Sequence, residues 1–564
     1  LIEIKPLTIP AVLNRTFSLY PDNLSLGSID KSAYRYSELK EYILSVSAYL
    51  VTNGINKGDR VALLSESSPN WGIAFFAITS LGAIAVPIMT EFQPEEIAYI
   101  IEDSGAKGIL VSDRCKVKLD VFEVAALNFV VLLDEFSIVS KDKLKSFIVD
   151  NADTINKEYL KLDFASPNED APLGKNVLED DIASLIYTSG TTGHSKGVLL
   201  SHKNFISDAI STVELSGIKS DDVLLSILPL SHTMECNVGM VVPVMAGSQI
   251  YYLDKPPTAS VLLPALKKVR PTIMVSIPLV IEKIYRQKIK PEFEKSTSRR
   301  FLYGRSVTRK LMNKAAGKKL METFGGRLRM FCIGGAALPQ DVEDFLIEAK
   351  FPHTLGYGLT ETSPLVSGNA PATRRYRSSG QPIKGVQVKI NNPDKDSKMG
   401  EILVKGPNVF KGYYKDEAKT KEMFTDDGWF RTGDLGLIDK DGYIYIKDRI
   451  KNVIVGSNGK NIYPEEIESK INDLQYVAES LVFQKDEKLV ARVHLNYPEL
   501  EEIYKHLNLK KAQFNEKIKH ILDEVQTEVN KKLPSYSKIV KVLEQDQPFA
   551  KTPTLKIKRF LYTL

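Results

Sequence analysis

Cysteine is scarce in this chain. Its 564 residues include three, Cys115, Cys236 and Cys332, far apart and without a CxxC pair. That argues against a disulfide scaffold and a zinc–cysteine site, and it fits a reducing, cytoplasmic compartment. Charge of one sign is scarce too. The formal net charge is +5, too small a bias over this length to make nucleic acid the main partner. Only two stretches could be mistaken for membrane spans, Trp71 to Met89 and Cys236 to Leu253, each uncharged and about as long as a spanning helix. Gly72, Gly82 and Pro87 interrupt the first, and Gly239, Pro243 and Gly247 the second. Both therefore read as a buried helix turning into a buried strand. Leu1 to Pro10 lacks the basic-then-apolar pattern of a signal peptide. There is no internal repeat and no low-complexity tract. What remains, 43% apolar and 26% charged, is the composition of a soluble globular protein, in a chain too long for one compact core.

Short Val/Ile-rich runs alternate with amphipathic helical stretches over most of the length. Arg60 to Leu64 precedes Asn70 to Leu81, and Pro94 to Ser104 precedes Gly108 to Val111. This rhythm predicts α/β layers. Near residue 400 the texture changes. Glu401 to Lys405, Leu435 to Asp439 and Tyr443 to Ile446 read as short strands, with Asp441-Gly442 as a hairpin turn. Beyond the charged link at Asp448 to Lys451, a tail has strands at Glu479 to Gln484 and Leu489 to Leu495. Its long helix runs from Lys511 to Lys532. The expected architecture is α/β: a large multi-layer N-terminal domain (1–447) with a β-rich end, a link at 448–451, and a small α+β C-terminal domain (452–564).

The most informative segment is Ala183 to His202, ASLIYTSGTTGHSKGVLLSH. An apolar strand ends at Tyr187. A loop follows with three glycines (Gly190, Gly193, Gly197), five hydroxyls (Thr188, Ser189, Thr191, Thr192, Ser195) and Lys196. Glycines let successive backbone N–H groups converge on an anion, while hydroxyls and an ammonium add donors, so the loop suits a polyphosphate. It is not the common P-loop, since Ser195 stands where that motif needs its second glycine. YTSGTTG-x-x-KG resembles the phosphate loop of the adenylate-forming superfamily, which contains acyl-CoA synthetases, firefly luciferase and peptide-synthetase adenylation domains. The resemblance covers nearly the whole chain, with further motifs in the family's order.

Leu355 to Pro364, LGYGLTETSP, offers a glycine-flanked tyrosine that could stack on a purine, and oxygen ligands for a hard cation. The resemblance implies that Tyr357, between Gly356 and Gly358, faces adenine. It places Thr360 on the α-phosphate and puts Mg²⁺ on Glu361 and Thr188. It also sets the Gly334-Gly335-Ala336 turn beside adenine. Asp434, in GWFRTGDLG, suits ribose hydroxyls as a carboxylate acceptor. The resemblance assigns it that contact, adds Ile446 and Arg449 to the nucleotide site, and makes Lys451 the pivot of a mobile tail. It puts Gly459 and Lys460 at the coenzyme A stage, and Lys556, in KTPTLKIKR, in the place of the family's adenylation lysine. The active site is then expected between the two domains. The TPTLKIKR form, with Leu555 where many members have glycine, is similar to the long-chain fatty acid–CoA ligases.

The chemistry implied is ATP-dependent activation of a fatty acid through an acyl-adenylate, followed by transfer to coenzyme A. Lys556, Thr188, Glu361 and His232 are the catalytic candidates. His232, in LPLSHTME, is expected near the carboxylate, with walls from Val275, Ile277, Leu365 and Gly368. From Lys295 to Arg329 there are eleven Lys/Arg against Glu322 alone, with Leu311, Met312, Ala315 and Leu320 at roughly helical spacing. Peripheral contact with the inner membrane surface and a solvated helix face are both open readings of this segment. Two alternatives to the CoA ligase stay open: an acyl-AMP ligase loading a carrier protein, and a non-catalytic nucleotide or lipid sensor.

Overall fold

A computed structural model describes residues 4–119, 127–134, 136–139, 173–188, 195–455, 461–505, 511–552 and 556–563. By compactness the chain divides into two units. The first comprises Leu1–Leu338, Phe345–Val388 and Val404–Phe430; the second comprises Pro339–Asp344, Lys389–Leu403 and Arg431–Leu564.

The helix Pro69–Ser80 shows how the first uncharged stretch, Trp71 to Met89, folds. Pro69 opens it, where a missing N–H costs nothing, and the Ser68 hydroxyl accepts from Trp71 N at 3.2 Å. Apart from Asn70 the whole helix is buried, including Trp71, Phe75 and Phe76. Burial contributes roughly 1.5–3 kcal/mol for each such large side chain. Gly82, at φ +70°, turns the chain into the strand Ile84–Ile88. The second stretch likewise breaks into a π-helical segment Glu235–Val241, the helix Val242–Ala246, a left-handed Gly247 and the strand Gln249–Tyr252. Both are core elements. Among the described residues no helix is long and apolar enough to cross a membrane.

Two eight-stranded sheets organise the first unit. One runs, edge to edge, through Leu26–Ser28, Gln249–Tyr252, Val223–Ser226, Ile273–Ser276, Met330–Ile333, His353–Gly358, Leu365–Gly368 and Gln381–Pro382. It is parallel as far as His353–Gly358 and antiparallel beyond. The other runs through Gly412–Tyr413, Lys196–Ser201, Ile182–Thr188, Ile84–Ile88, Arg60–Leu64, Gly108–Val111, Phe129–Leu132 and Ser137–Val139. Its centre is parallel and both its ends are antiparallel. Gly108 is required where it stands, because a Cβ there would lie 2.2 Å from the Phe129 ring.

In the second unit Phe430–Ile438 and Ile444–Arg449 form the expected hairpin, in a four-stranded sheet with Gln387–Asn391 and Gly400–Lys405. Further on, Val477–Lys485, Lys488–Leu495 and Lys541–Glu544 make a three-stranded sheet. The helices Pro464–Asn472 and Lys511–Lys531 contribute to its core, with Ile467, Ile471, Ile518 and Val525 beside Val482 and Ala491. Layered α/β structure followed by a small α+β end is what the sequence pattern leads one to expect.

The basic segment folds as Thr297–Tyr303 and Ser306–Thr323. Its apolar residues do not share one outward face. Leu320 is turned inward with Asn313 and Gly317, and a Cβ at Gly317 would meet the Ala349 carbonyl at 2.3 Å. The exposed apolar side chains are instead Phe301, Leu302, Val307 and Leu311.

Candidate functional site

In the first unit the predicted residues gather at the carboxyl ends of parallel strands, where open α/β sheets bind ligands. Ile277 follows Ser276, Gly334-Gly335-Ala336 follows Ile333, and Gly356, Tyr357 and Gly358 close the strand His353–Gly358. These turns lie against one another. A Cβ on Gly334 would sit 2.9 Å from Met234 Sδ, one on Gly335 3.6 Å from Ile277 Cγ2, and one on Gly356 3.1 Å from Leu365 Cδ1. At Gly358 it would overlap the Pro364 carbonyl oxygen at 1.8 Å, so only glycine fits. The result is a strip of bare backbone bordered by Met234, Ile277 and Leu365. A flat ring could approach it closely. Of the expected acyl wall, Ile277 and Leu365 are half-buried, whereas Val275 and Gly368 lie deeper in the sheet.

The second sheet supplies the phosphate-loop ends. Thr188 pairs with Lys196 across the antiparallel strands, and its hydroxyl donates to the Lys196 carbonyl at 3.4 Å. Ser189, Gly190, Thr191, Thr192 and Gly193 lie outside the described residues. The turn Thr360–Thr362 packs against the strand Lys196–Ser201. It is held from behind by the segment after Gly406. Phe410 N donates to the Glu361 carbonyl at 2.8 Å, Asn408 Nδ2 to the Thr362 carbonyl at 2.9 Å, and the Tyr413 hydroxyl to Glu361 Oε1 at 2.9 Å. Thr188, Lys196, Thr360 and Glu361 are thereby assembled from three separated stretches of chain. One hydroxyl and one carboxylate are oxygen ligands of the kind Mg²⁺ takes from a protein. That ion keeps waters and takes its remaining ligands from phosphate oxygens.

His232 is half-buried, and its Nδ1 accepts from Met234 N at 3.2 Å. Three residues on, Glu235 is a feature the sequence reading missed. Its side chain is buried under the same motif, where Oε1 accepts from the Ser226 hydroxyl at 2.5 Å. Burial pushes this carboxyl up to about 8, with the serine hydrogen bond opposing. Asp208, also buried, is raised for the same reason; it accepts from Leu365 N at 2.9 Å and from Asn237 Nδ2 at 3.0 Å. Nothing local in the motif distinguishes Glu235 from a surface acid.

In the second unit, Asp434 and Arg449 face each other across the hairpin, with Arg449 Nε 2.6 Å from Asp434 Oδ1. Ile446 pairs with Gly436 nearby. Lys451 is exposed, yet partial desolvation, then the positive charges of Arg449 and Lys556, hold its ammonium below the usual lysine range. Lys556 is exposed, and its main chain closes back on Thr552. Its N–H donates to Thr552 Oγ1 at 3.1 Å, and its carbonyl accepts from Thr552 N at 2.7 Å. Three residues later Arg559 grips Glu468 with two hydrogen bonds, at 2.7 and 3.0 Å, and donates to the Val482 carbonyl at 2.8 Å. The second unit therefore collects Asp434, Arg449, Lys451 and Lys556. Gly459 and Lys460 lie outside the described residues.

Comparison with known proteins identifies the family. Residues 14–414 match the model of the AMP-binding enzyme family, and residues 451–562 match the AMP-binding enzyme C-terminal domain. The chain belongs to the AMP-binding enzymes. It is an adenylate-forming enzyme of the acid–CoA ligase group, close to the long-chain fatty acid–CoA ligases. It is 28% identical over 557 residues to fatty acyl-CoA synthetase A of Dictyostelium discoideum, covering 91% of this chain and 82% of that one. It is 28% identical over 505 residues to the long-chain-fatty-acid–CoA ligase ACSBG2 of Gallus gallus, covering 83% of this chain but 64% of that longer protein. Among solved structures, ATP-bound MatB from Rhodopseudomonas palustris superposes with a TM-score of 0.75 at 25% identity, covering 98% of both chains.

Proposed function

We propose that this enzyme converts a medium- to long-chain fatty acid, ATP and coenzyme A into acyl-CoA, AMP and pyrophosphate through an acyl-adenylate. The observation that carries the proposal is the convergence of Thr188, Lys196 and Glu361 at one end of a sheet. The names of the relatives support the fatty acid.

A carboxylate resists attack because it is anionic and has no good leaving group. Attack of its oxygen on the α-phosphorus forms a C–O–P anhydride and breaks the bond to pyrophosphate, which leaves with the electron pair. The barrier is largely electrostatic, since two anions must meet while charge shifts toward the departing group. Lys196 and the loop N–H groups hold the phosphates, Thr360 takes the α-phosphate, and Tyr357 lies along the adenine. Thr188 and Glu361 hold Mg²⁺, which neutralises phosphate charge when bound. Asp434 accepts from the ribose hydroxyls, flanked by Ile446 and Arg449, and Lys556 brings an ammonium to the transferring phosphoryl group. No protein nucleophile is needed. In the second step the CoA thiolate attacks the anhydride carbonyl and AMP departs. Gly459 and Lys460 serve that step, Lys451 is the pivot, and His232 orients the carboxylate beside Ile277 and Leu365.

The test is pyrophosphate release from purified protein with ATP, Mg²⁺ and a saturated fatty-acid series, each with and without CoA. A CoA-dependent thioester peaking at one chain length is the expected result. Pyrophosphate release without a CoA thioester would move the acceptor to a carrier protein. Silence across the series would refute the fatty acid.

Delivery of the acid from a lipid surface belongs to the same proposal. Phe301, Leu302, Val307 and Leu311 are exposed among Arg299, Arg300, Arg305, Lys310 and Lys314. Apolar side chains among cations suit an anionic bilayer. Replacing Phe301 and Leu311 together by Ser should weaken binding to phosphatidylglycerol vesicles, read by co-sedimentation, roughly thirtyfold, at ~1 kcal/mol per apolar side chain withdrawn. Turnover of fatty acid presented in detergent should be unchanged. Undiminished vesicle binding would assign the segment to a solvated face.

A further inference from the structure

Resting on that reading of Glu361, we infer that Tyr413 is the positioning residue that sets the metal-binding carboxylate and ties it to the phosphate loop. Tyr413 lies far along the chain from both. It reaches them because Gly412–Tyr413 adds as an edge strand to Lys196–Ser201, pairing Gly412 with Leu199 and Tyr413 with Val198. Its hydroxyl donates to Glu361 Oε1 at 2.9 Å, and the Lys196 ammonium stands over its ring, 5.7 Å from the centroid. One side chain thus touches the acidic group proposed for the metal and the basic group proposed for the phosphates.

The tyrosine is itself well fixed. It is 8% exposed, its N–H donates to Thr420 Oγ1 at 2.8 Å, and Phe410 packs edge-on against it at 5.0 Å. Phe410 also holds the Glu361 carbonyl through its own N–H. The segment 410–413 therefore grips Glu361 at main chain and side chain together. A carboxylate tethered through Oε1 loses rotational freedom, which holds its position for a cation. Without the phenol it would swing, and it could collapse onto the Lys196 ammonium. A hydrogen bond to a charged acceptor is among the stronger kinds, so its loss should register clearly.

The experiment compares wild type, Tyr413→Phe and Glu361→Gln. The Phe variant keeps the ring, its packing on Phe410 and its strand pairing with Val198, and removes only the hydroxyl. Mn²⁺ binding in the presence of a non-hydrolysable ATP analogue is read by water-proton relaxation. Nucleotide binding in EDTA is read separately by calorimetry, and thermal unfolding checks the fold. For Tyr413→Phe the expected result is Mn²⁺ affinity weakened roughly tenfold, metal-free nucleotide binding within about twofold of wild type, and turnover largely recovered at saturating Mg²⁺. If Glu361→Gln loses Mn²⁺ and Tyr413→Phe binds it as wild type does, the role of Tyr413 is overturned while the metal role of Glu361 stands. If Glu361→Gln binds Mn²⁺ normally, Glu361 is no metal ligand and both readings fall. A Tyr413→Phe protein that loses nucleotide in EDTA as well would make the tyrosine a general packing residue, which also overturns the inference.

Discussion

Lys556→Ala should abolish adenylation while leaving ATP bound. Pyrophosphate release should fall by roughly two to three orders of magnitude, the scale of removing one preorganised charge from a transition state. The basic tail contains other cations, and the structure separates them. Lys551 is paired with Glu479 and Arg559 with Glu468, and these two contacts anchor the chain on either side of the exposed Lys556. The anchor matters, because an ammonium on a loose tail would lose by orientation what it gained by charge. Stopped-flow detection of pyrophosphate measures the first step. A synthetic acyl-adenylate supplied with CoA measures the second, which should proceed at close to the wild-type rate. Adenylation retained within about tenfold would reduce Lys556 to one charge in a basic tail.

Glu235→Gln should stabilise the protein at neutral pH, and the gain should disappear in acid. The folded carboxyl titrates near 8 against 4.5 for the free side chain, so between those values the native state retains a proton that the unfolded chain has released. Stability contributed by this group is complete below pH 4.5 and is lost as pH rises toward 8. At pH 7 the cost is about 3 kcal/mol, which an amide avoids because it carries no charge to desolvate. Glutamine keeps the oxygen that accepts from Ser226. Denaturant unfolding of the two proteins at pH 8 and pH 5 is the measurement. A stability difference that stays constant with pH would show that Glu235 is ionised in the fold. The comparison also isolates this group from His202 and His353, which burial lowers to about 4. Those two act in the opposite sense. The unfolded chain takes up their protons below about 6.5 while the native state does not, so stability falls as pH drops from there toward 4.

What the sequence makes legible is what local pattern encodes. Pro94 at the start of a helix and Gly105 at its end delimit Pro94–Ser104, and alternating apolar residues around Asp441-Gly442 give the hairpin. Gly358 stands out in the sequence, and the Pro364 carbonyl explains why nothing larger fits. Tyr413 is different. In Phe-Lys-Gly-Tyr-Tyr it looks like one aromatic among several, and only the pairing with Lys196–Ser201 brings it to Glu361. Glu235 is similarly silent, because burial is a property of the packed neighbours Ser226 and Gly239 and not of the motif. Leu320 misled for the same reason. Helical spacing puts it on a stripe, but the stripe's orientation depends on where Ala349 lies.

The two-residue edge strand Gly412–Tyr413 also bears on how the molecule is made. A ribosome releases the chain from its N-terminus, and domains start folding as they emerge. The phosphate-loop strands are out long before residue 412, so the nascent sheet waits with the edge of Lys196–Ser201 unpaired, an invitation to another strand. A polypeptide truncated just before Gly412 would keep the parallel strands and yet expose that edge. Such fragments should associate with one another, and termination products ending there should be found in aggregates.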